Sequence, residues 1–313
     1  MNRAASTLVR TLIHTARPWS LLAGVLLYAL GGGIASYLAY PINWATYWIG
    51  QTCVTMLQLS SYFLQEYFDR AGQPPFEIPR PRPPKPPAED QPEEPPVEVP
   101  TPRVVFIQVA AATLTVGAVM TVLLFAQGKL TPAALLFIGL AFFLALIYAV
   151  PPFRLVYSGY GELVLAILVV NLFPALAFQL QAGELHRLLA MLTFPLTLLY
   201  LASALALSLQ KYLEDIRHNR QTMLARLGWQ RGMTLHNLLI ALAYVALAGS
   251  VISGLPWRLA YPAFLSMPVA VFQIWQMNGI ANGAKPRWRL LAFTALATVG
   301  FAAYFINLAL WTG

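Results

Sequence analysis

Nine stretches of about 20 predominantly apolar residues run through this chain of 313, over about 18–40, 43–67, 104–127, 131–150, 161–181, 188–210, 233–254, 259–280 and 288–311. A bilayer core about 30 Å thick takes roughly 20 such residues per helix, so each stretch reads as one crossing. The runs are apolar on every side, whereas a membrane barrel alternates apolar and polar positions over about ten residues per strand. The expectation is an all-α polytopic membrane protein, with nine transmembrane helices in a bundle around a central cavity. Pro174, Pro195, Pro262 and Pro268 fall inside or near the ends of spans. Such breaks are tolerated where neighbouring helices satisfy the freed backbone groups.

Composition excludes a soluble alternative. Hydrophobic residues make up 58% and charged residues 10% of the chain, against about 25% charged in a soluble domain. The 20 basic and 12 acidic residues give a net charge of +8. In so apolar a chain that surplus is read against a bilayer, and no nucleic-acid partner is expected. With the N-terminus in the cytoplasm and nine spans, 17 of the 20 basic residues fall on the cytoplasmic side; only Lys129, Arg187 and Arg258 fall on the other. This is a strong positive-inside pattern. It predicts an integral membrane protein with its N-terminus and charged loops cytoplasmic, in contact with membrane lipids.

Residues 1–17 carry Arg3, Arg10 and Arg17 and no acid. An interfacial helix is the preferred reading there, with an organellar transit segment as the alternative; the full-length apolar run after Pro18 argues against a cleaved secretory signal. The chain reads as one domain over 1–313. Within it, segment 71–102 holds 13 of the 24 prolines and six of the 12 acids, which predicts a flexible, polyproline-like cytoplasmic loop. Cys53 is alone, so it reads as a small core residue. Gly31-Gly32-Gly33 reads as close helix packing and Asn171 as an interhelical hydrogen bond. His14, His186, His218 and His236 show no metal spacing.

Six acids remain outside that segment, and five of them, Glu66, Asp69, Glu162, Glu214 and Asp215, stand at the cytoplasmic ends of the second, fifth and sixth spans. Ionisable groups at span ends usually face a cavity or mark a site. Glu66 and Asp69 are three residues apart and share a helical face, while Asp215 stands four from both Lys211 and Asn219. Hard divalent cations take oxygen ligands, and Mg²⁺ is commonly held by one or two carboxylates plus substrate phosphates. A diphosphate bridged by such ions, with Arg and Lys around it, suits this layout.

These segments resemble the UbiA-type intramembrane prenyltransferases. Arg17-Pro18-Trp19 resembles the opening of that family's first span, and Gln65-Glu66-Tyr67-Phe68-Asp69-Arg70 its first acidic motif. Tyr148 through Leu155, followed by Gly159-Tyr160-Gly161-Glu162, resembles the loop after the fourth span. Asp215-Ile216 with Thr222 through Gly228 resembles the second acidic motif and its tail. Gln65 stands where the family has Asn and Glu66 where it has Asp; Gln73 and Asn219 each replace an Asp, keeping an oxygen and losing the charge.

The resemblance implies Mg²⁺-dependent transfer of a polyprenyl group from a polyprenyl diphosphate to a lipophilic, aromatic acceptor. Glu66, Asp69, Asp215 and Asn219 would hold the metal, with Glu66, Asp69 and Asp215 supporting ionisation of the allylic C–O bond. Arg70, Arg154, Lys211 and Arg217 would bind phosphate oxygens. Phe68, Tyr148 and Tyr212 would line the pocket that shields the cation, Tyr148 contacting substrate. Benzoate, naphthoate, chlorin, haem and glycerol-phosphate acceptors stay open, as do prenyl chain length and oligomeric state. The alternatives are a non-catalytic relative that binds an isoprenoid or diphosphate lipid, which Gln73 and Asn219 favour, and a transporter. A transporter is disfavoured because its acids would stand at the midplane rather than at one face.

Overall fold

The structure, a computed structural model, describes residues 3–70, 102–218 and 220–313. The proline-dense loop expected over 71–102 lies outside the described residues up to position 101, and so do Gln73 and Asn219.

The described residues are helical nearly throughout. The N-terminal segment forms α1 (Arg3–Ala16), which ends at Arg17 in the left-handed region, φ 50°. That turn leads into α2 (Pro18–Tyr37), with Pro18 in the first turn, where its missing N–H removes no helical bond. The Asn43 side chain caps α3 (Trp44–Asp69) by accepting from Thr46 N at 3.0 Å. Next come α4 (Arg103–Ala126) and α5 (Pro132–Ala149), the latter capped by Thr131 through Ala134 N at 3.1 Å. The short α6 (Gly161–Ala166) continues through a π-helical turn, Ile167–Leu172, into α7 (Phe173–Ala182).

The chain returns through α8 (Arg187–Leu209) and two short helices at the charged end, α9 (Tyr212–Arg217) and α10 (Met223–Leu227). The remaining elements are α11 (Trp229–Ile252), α12 (Trp257–Phe264), α13 (Met267–Ala281) and α14 (Trp288–Thr312).

Seven of the nine expected spans are helices long and apolar enough to cross a membrane. The other two differ for visible reasons. Helix α3 has the length, 26 residues, but buries Gln51, Gln58, Ser60, Ser61 and Gln65 along it. Stretch 259–280 is interrupted by a turn at Leu265-Ser266, so it is shared between α12 and α13. Residues such as Val122, Phe125, Leu136 and Phe143 are exposed on α4 and α5, which is how a surface turned to lipid looks.

Packing closes the bundle into a ring. Helix α3 lies on α4, α11 on α8, and α2 on α7, while α14 packs on both α2 and α8. Asn307 and Trp311 of α14 donate to the carbonyls of Leu26 (3.0 Å) and Ala29 (3.3 Å) on α2. Gly31 lets α2 approach α7 so closely that a Cβ there would collide with the Pro174 carbonyl oxygen. The expected interhelical bond of Asn171 is present, to Thr197 Oγ1 at 3.0 Å. Cys53 is buried, as a core residue should be.

Candidate active site

Three segments meet at one end of the bundle. The C-terminal turn of α3 brings Gln65, Glu66, Asp69 and Arg70. The connection after α5 brings Arg154 and Tyr157. The α9–α10 region brings Asp215, Arg220 and Thr222. A bridge between Ser158 and Gln221 ties the second and third segments together.

Asp69 is held on both oxygens: Arg154 Nη2 donates to Oδ1, and the Tyr157 hydroxyl donates to Oδ2 at 2.7 Å. The guanidinium of Arg154 lies 5.1 Å from the Tyr157 ring centre and that of Arg220 lies 5.2 Å from it. Burial and the bond to Asp69 push the Tyr157 hydroxyl up to about 12, so at neutral pH it donates. Glu66 is paired with Arg70, Nε to Oε1 2.7 Å, one helical turn on. Arg70 also lies over the Phe106 ring, 4.5 Å from its centre.

Asp215 is buried and its second oxygen accepts from Thr222 Oγ1 at 3.4 Å. Burial raises its pKa above the ordinary carboxylate value, while Arg220, Thr222 and Lys211 pull the other way. Glu162 accepts from the backbone N–H of Met223, at the start of α10, and is close enough to Asp215 to feel its charge.

A cavity of about 840 Å³ meets this cluster at Glu66 and is bounded by α1, α2, α3, α8 and α14. Glu66 and Lys211 stand on its charged rim, and Ala292, Leu296 and Val299 of α14 form an apolar wall. Arg17 connects the two regions. It is exposed and lines the cavity. It donates to Gln65 Oε1 at 3.0 Å, pairs with Tyr148, and rests 5.0 Å from the centre of the Tyr62 ring.

The expected site residues divide accordingly. Glu66, Asp69, Arg70, Arg154 and Asp215 gather at the charged end, with Lys211 on the cavity rim. Tyr148 is buried beside Arg17. Arg217 is exposed, and Arg220 stands by Asp215 instead. The cavity aromatics are Trp19, Tyr62 and Tyr200 rather than Phe68 and Tyr212. Sequence reasoning also missed Tyr157 and the site role of Arg17. An arginine directly before a span was the available signal for Arg17; Tyr157 had none.

Among the described residues no group of three or more His, Cys, Asp and Glu gathers as a metal cluster. The donors present are carboxylate oxygens, the type Mg²⁺ prefers, and one or two suffice when phosphates complete the shell. Glu66, Asp69 and Asp215 are donors of that type at this end of the bundle, without gathering into one cluster; Asn219 lies outside the described residues.

The fold has solved counterparts. A UbiA homolog from Archaeoglobus fulgidus superposes with a TM-score of 0.61 at 12% identity, over 95% of this chain and 98% of that one. The same homolog bound to GPP and Mg²⁺ superposes with a TM-score of 0.64 at 14% identity, over 96% and 99%. The chain has the UbiA fold. In sequence, this UbiA-fold chain is 24% identical over 207 residues to the 1,4-dihydroxy-2-naphthoate octaprenyltransferase of Bacillus subtilis (strain 168). That match takes in 65% of this chain and 64% of the relative, so it spans somewhat less than two thirds of the relative's length. No family model matches the chain.

Proposed function

We propose that this integral membrane protein transfers a polyprenyl group from a polyprenyl diphosphate to a lipophilic, aromatic acceptor within the bilayer, with Mg²⁺ as its metal. The observation that carries the reading is the junction of two environments at one end of the bundle. Carboxylates and guanidiniums from three segments gather there, and one of them, Glu66, stands with Lys211 on the rim of a cavity with an apolar wall. A prenyl diphosphate has the same division, a polyanion joined to a hydrocarbon. The solved UbiA homologs with bound GPP, and with DMAPP and Mg²⁺, support the assignment, as does the octaprenyltransferase relative.

In this reading Asp69 and Asp215, with Glu66, hold the metal. Mg²⁺ would supply neutralisation of the diphosphate's negative charge. Arg154, Arg220 and Lys211 bind phosphate oxygens as the allylic C–O bond ionises, with Arg70 and Arg217 as further phosphate contacts. The cavity excludes water from the allylic cation, and the Tyr62 and Tyr200 rings line its path. Helix α3 and the α12–α13 pair complete nine spans, with the N-terminus and site cytoplasmic, in a bacterial inner membrane.

A second reading, a non-catalytic binder of diphosphate lipids, is favoured by one observation: both Asp69 oxygens already have partners. Incubation of the purified protein in nanodiscs with geranyl diphosphate, Mg²⁺ and a panel of hydroxybenzoates and hydroxynaphthoates separates the two. A prenylated product seen by mass spectrometry supports the transferase; saturable geranyl diphosphate binding with no product from any acceptor supports the binder.

A further inference from the structure

Segment 154–162, which leads from α5 into the first turn of α6, touches both acid-bearing segments, one with each half. The first half serves α3: Arg154 and Tyr157 take the two oxygens of Asp69. The second half runs beside residues 220–226. The Tyr157 ring centre lies 5.2 Å from the Arg220 guanidinium, Ser158 forms a parallel bridge with Gln221, and the Tyr160 ring centre lies 5.6 Å from the Arg226 guanidinium. Glu162 closes the seam. The backbone N–H of Met223 is shared between its two oxygens, at 3.4 and 3.3 Å. Thr222, one residue earlier, donates to Asp215.

The connecting segment is itself firmly seated. Val156 belongs to a buried cluster with Tyr148, Ala149 and Val164. A Cβ on Gly161 would strike the Val156 Cα, so the turn closes tightly there. Gly159 has φ 80°, and a Cβ on it would stand 2.4 Å from Arg226 Cδ, so the arginine crosses at a bare position. Helices α9 and α10, by contrast, have six and five residues, well below the roughly 12–15 at which a helix holds by itself. Their place is set by what they touch. On one side Leu224 is buried against Gly232 of α11, where a Cβ would strike it. On the other side stands Glu162.

We propose that segment 154–162 is the strut that fixes Asp215 relative to Asp69, and that Glu162 is the positioning residue that holds the α9–α10 region to it. This rests on the transferase reading, in which both acids serve one diphosphate, and deepens it by giving a role to an acid outside the metal and phosphate contacts. Glu162 acts through the backbone of Met223 and touches neither donor nor metal. When that bond is lost the α9–α10 region drifts, and a donor that needs both acids binds more weakly.

The test uses the full-length protein in nanodiscs. Amide hydrogen exchange over 220–227, followed by mass spectrometry without Mg²⁺ or donor, reads the seam directly. Titration with geranyl diphosphate and Mg²⁺ reads its consequence. Glu162→Leu should speed exchange in that stretch and weaken geranyl diphosphate binding about tenfold, as for loss of a bond to a charged acceptor. Glu162→Gln keeps an oxygen that accepts the N–H and should stay within about twofold of the wild type in both measurements. Gly159→Ala leaves Glu162 in place but displaces Arg226 from the seam, and should weaken the donor as the leucine variant does; it carries the test if the leucine variant fails to assemble. A glutamine variant as weak as the leucine variant overturns the proposal, because Glu162 then acts by its charge on metal or donor. Unchanged exchange or unchanged donor affinity in Glu162→Leu overturns it too, as does wild-type affinity in Gly159→Ala. Wild-type protein that fails to bind geranyl diphosphate instead sinks the transferase reading, while the exchange contrast between the leucine and glutamine variants still decides the strut.

Discussion

Arg17 donates a hydrogen bond to Gln65 at 3.0 Å, across 48 positions of sequence. The bond links the entrance of α2 to the acidic end of α3 and holds a guanidinium at the boundary between ionic cluster and cavity. Gln65 stands where the resembled motif has Asn, and the longer amide still reaches the arginine. Replacing it with leucine removes one bond to a charged partner, worth about 1.5 kcal/mol. Gln65→Leu should therefore weaken geranyl diphosphate binding about tenfold, read by titration in nanodiscs. Gln65→Asn should retain most of the affinity.

Arg154 crosses 85 positions to reach Asp69. A planar cation that donates to Asp69 while lying 5.1 Å from the centre of the Tyr157 ring is not replaceable by a point charge. Arg154→Gln should lower kcat/KM for the prenyl diphosphate about a hundredfold, and Arg154→Lys should recover little of it. Steady-state kinetics with geranyl diphosphate check both.

Asp215 must be ionised to hold a cation, and burial raises its pKa. The acid limb of the pH–rate profile should then lie above the ordinary aspartate value, with activity lost as the pH falls through it. Arg220 favours the ionised form, so Arg220→Gln should move that limb to higher pH. A limb that stays in place would show that another group controls it.

Gly31→Ala tests the packing that shapes the bundle. Its Cβ would meet the Pro174 backbone, which no side-chain rotation relieves. A cost of about 1–3 kcal/mol is expected for such overpacking, seen as a lower midpoint of thermal unfolding in detergent. Gly139→Ala, where nothing lies within 4 Å, is the control and should leave the midpoint unchanged.

Much of the fold was legible because a bilayer demands apolar runs of fixed length. The seven spanning helices follow from that demand alone. Helix α3 was legible as a stretch of the right length, although its buried Gln51, Gln58 and Gln65 lower its apolar content. The break at Leu265-Ser266 carries no mark beyond nearby prolines. At the site, the acids were legible from their placement at span ends. Their partners were not: Arg220 takes the place expected of Arg217 because the chain turns back after α9, with Arg220 N bonded to the Asp215 carbonyl at 2.8 Å. Tyr157 and the cavity's Tyr62 and Tyr200 come from separate segments, and no local spacing links them.

The most direct measurement is diphosphate release from geranyl diphosphate by the purified protein with its acceptor, with and without EDTA, in the wild type and in Asp69→Ala and Asp215→Ala. The account predicts release that requires Mg²⁺ and falls by at least about a hundredfold in either variant. Release that persists in EDTA and survives both substitutions would contradict it.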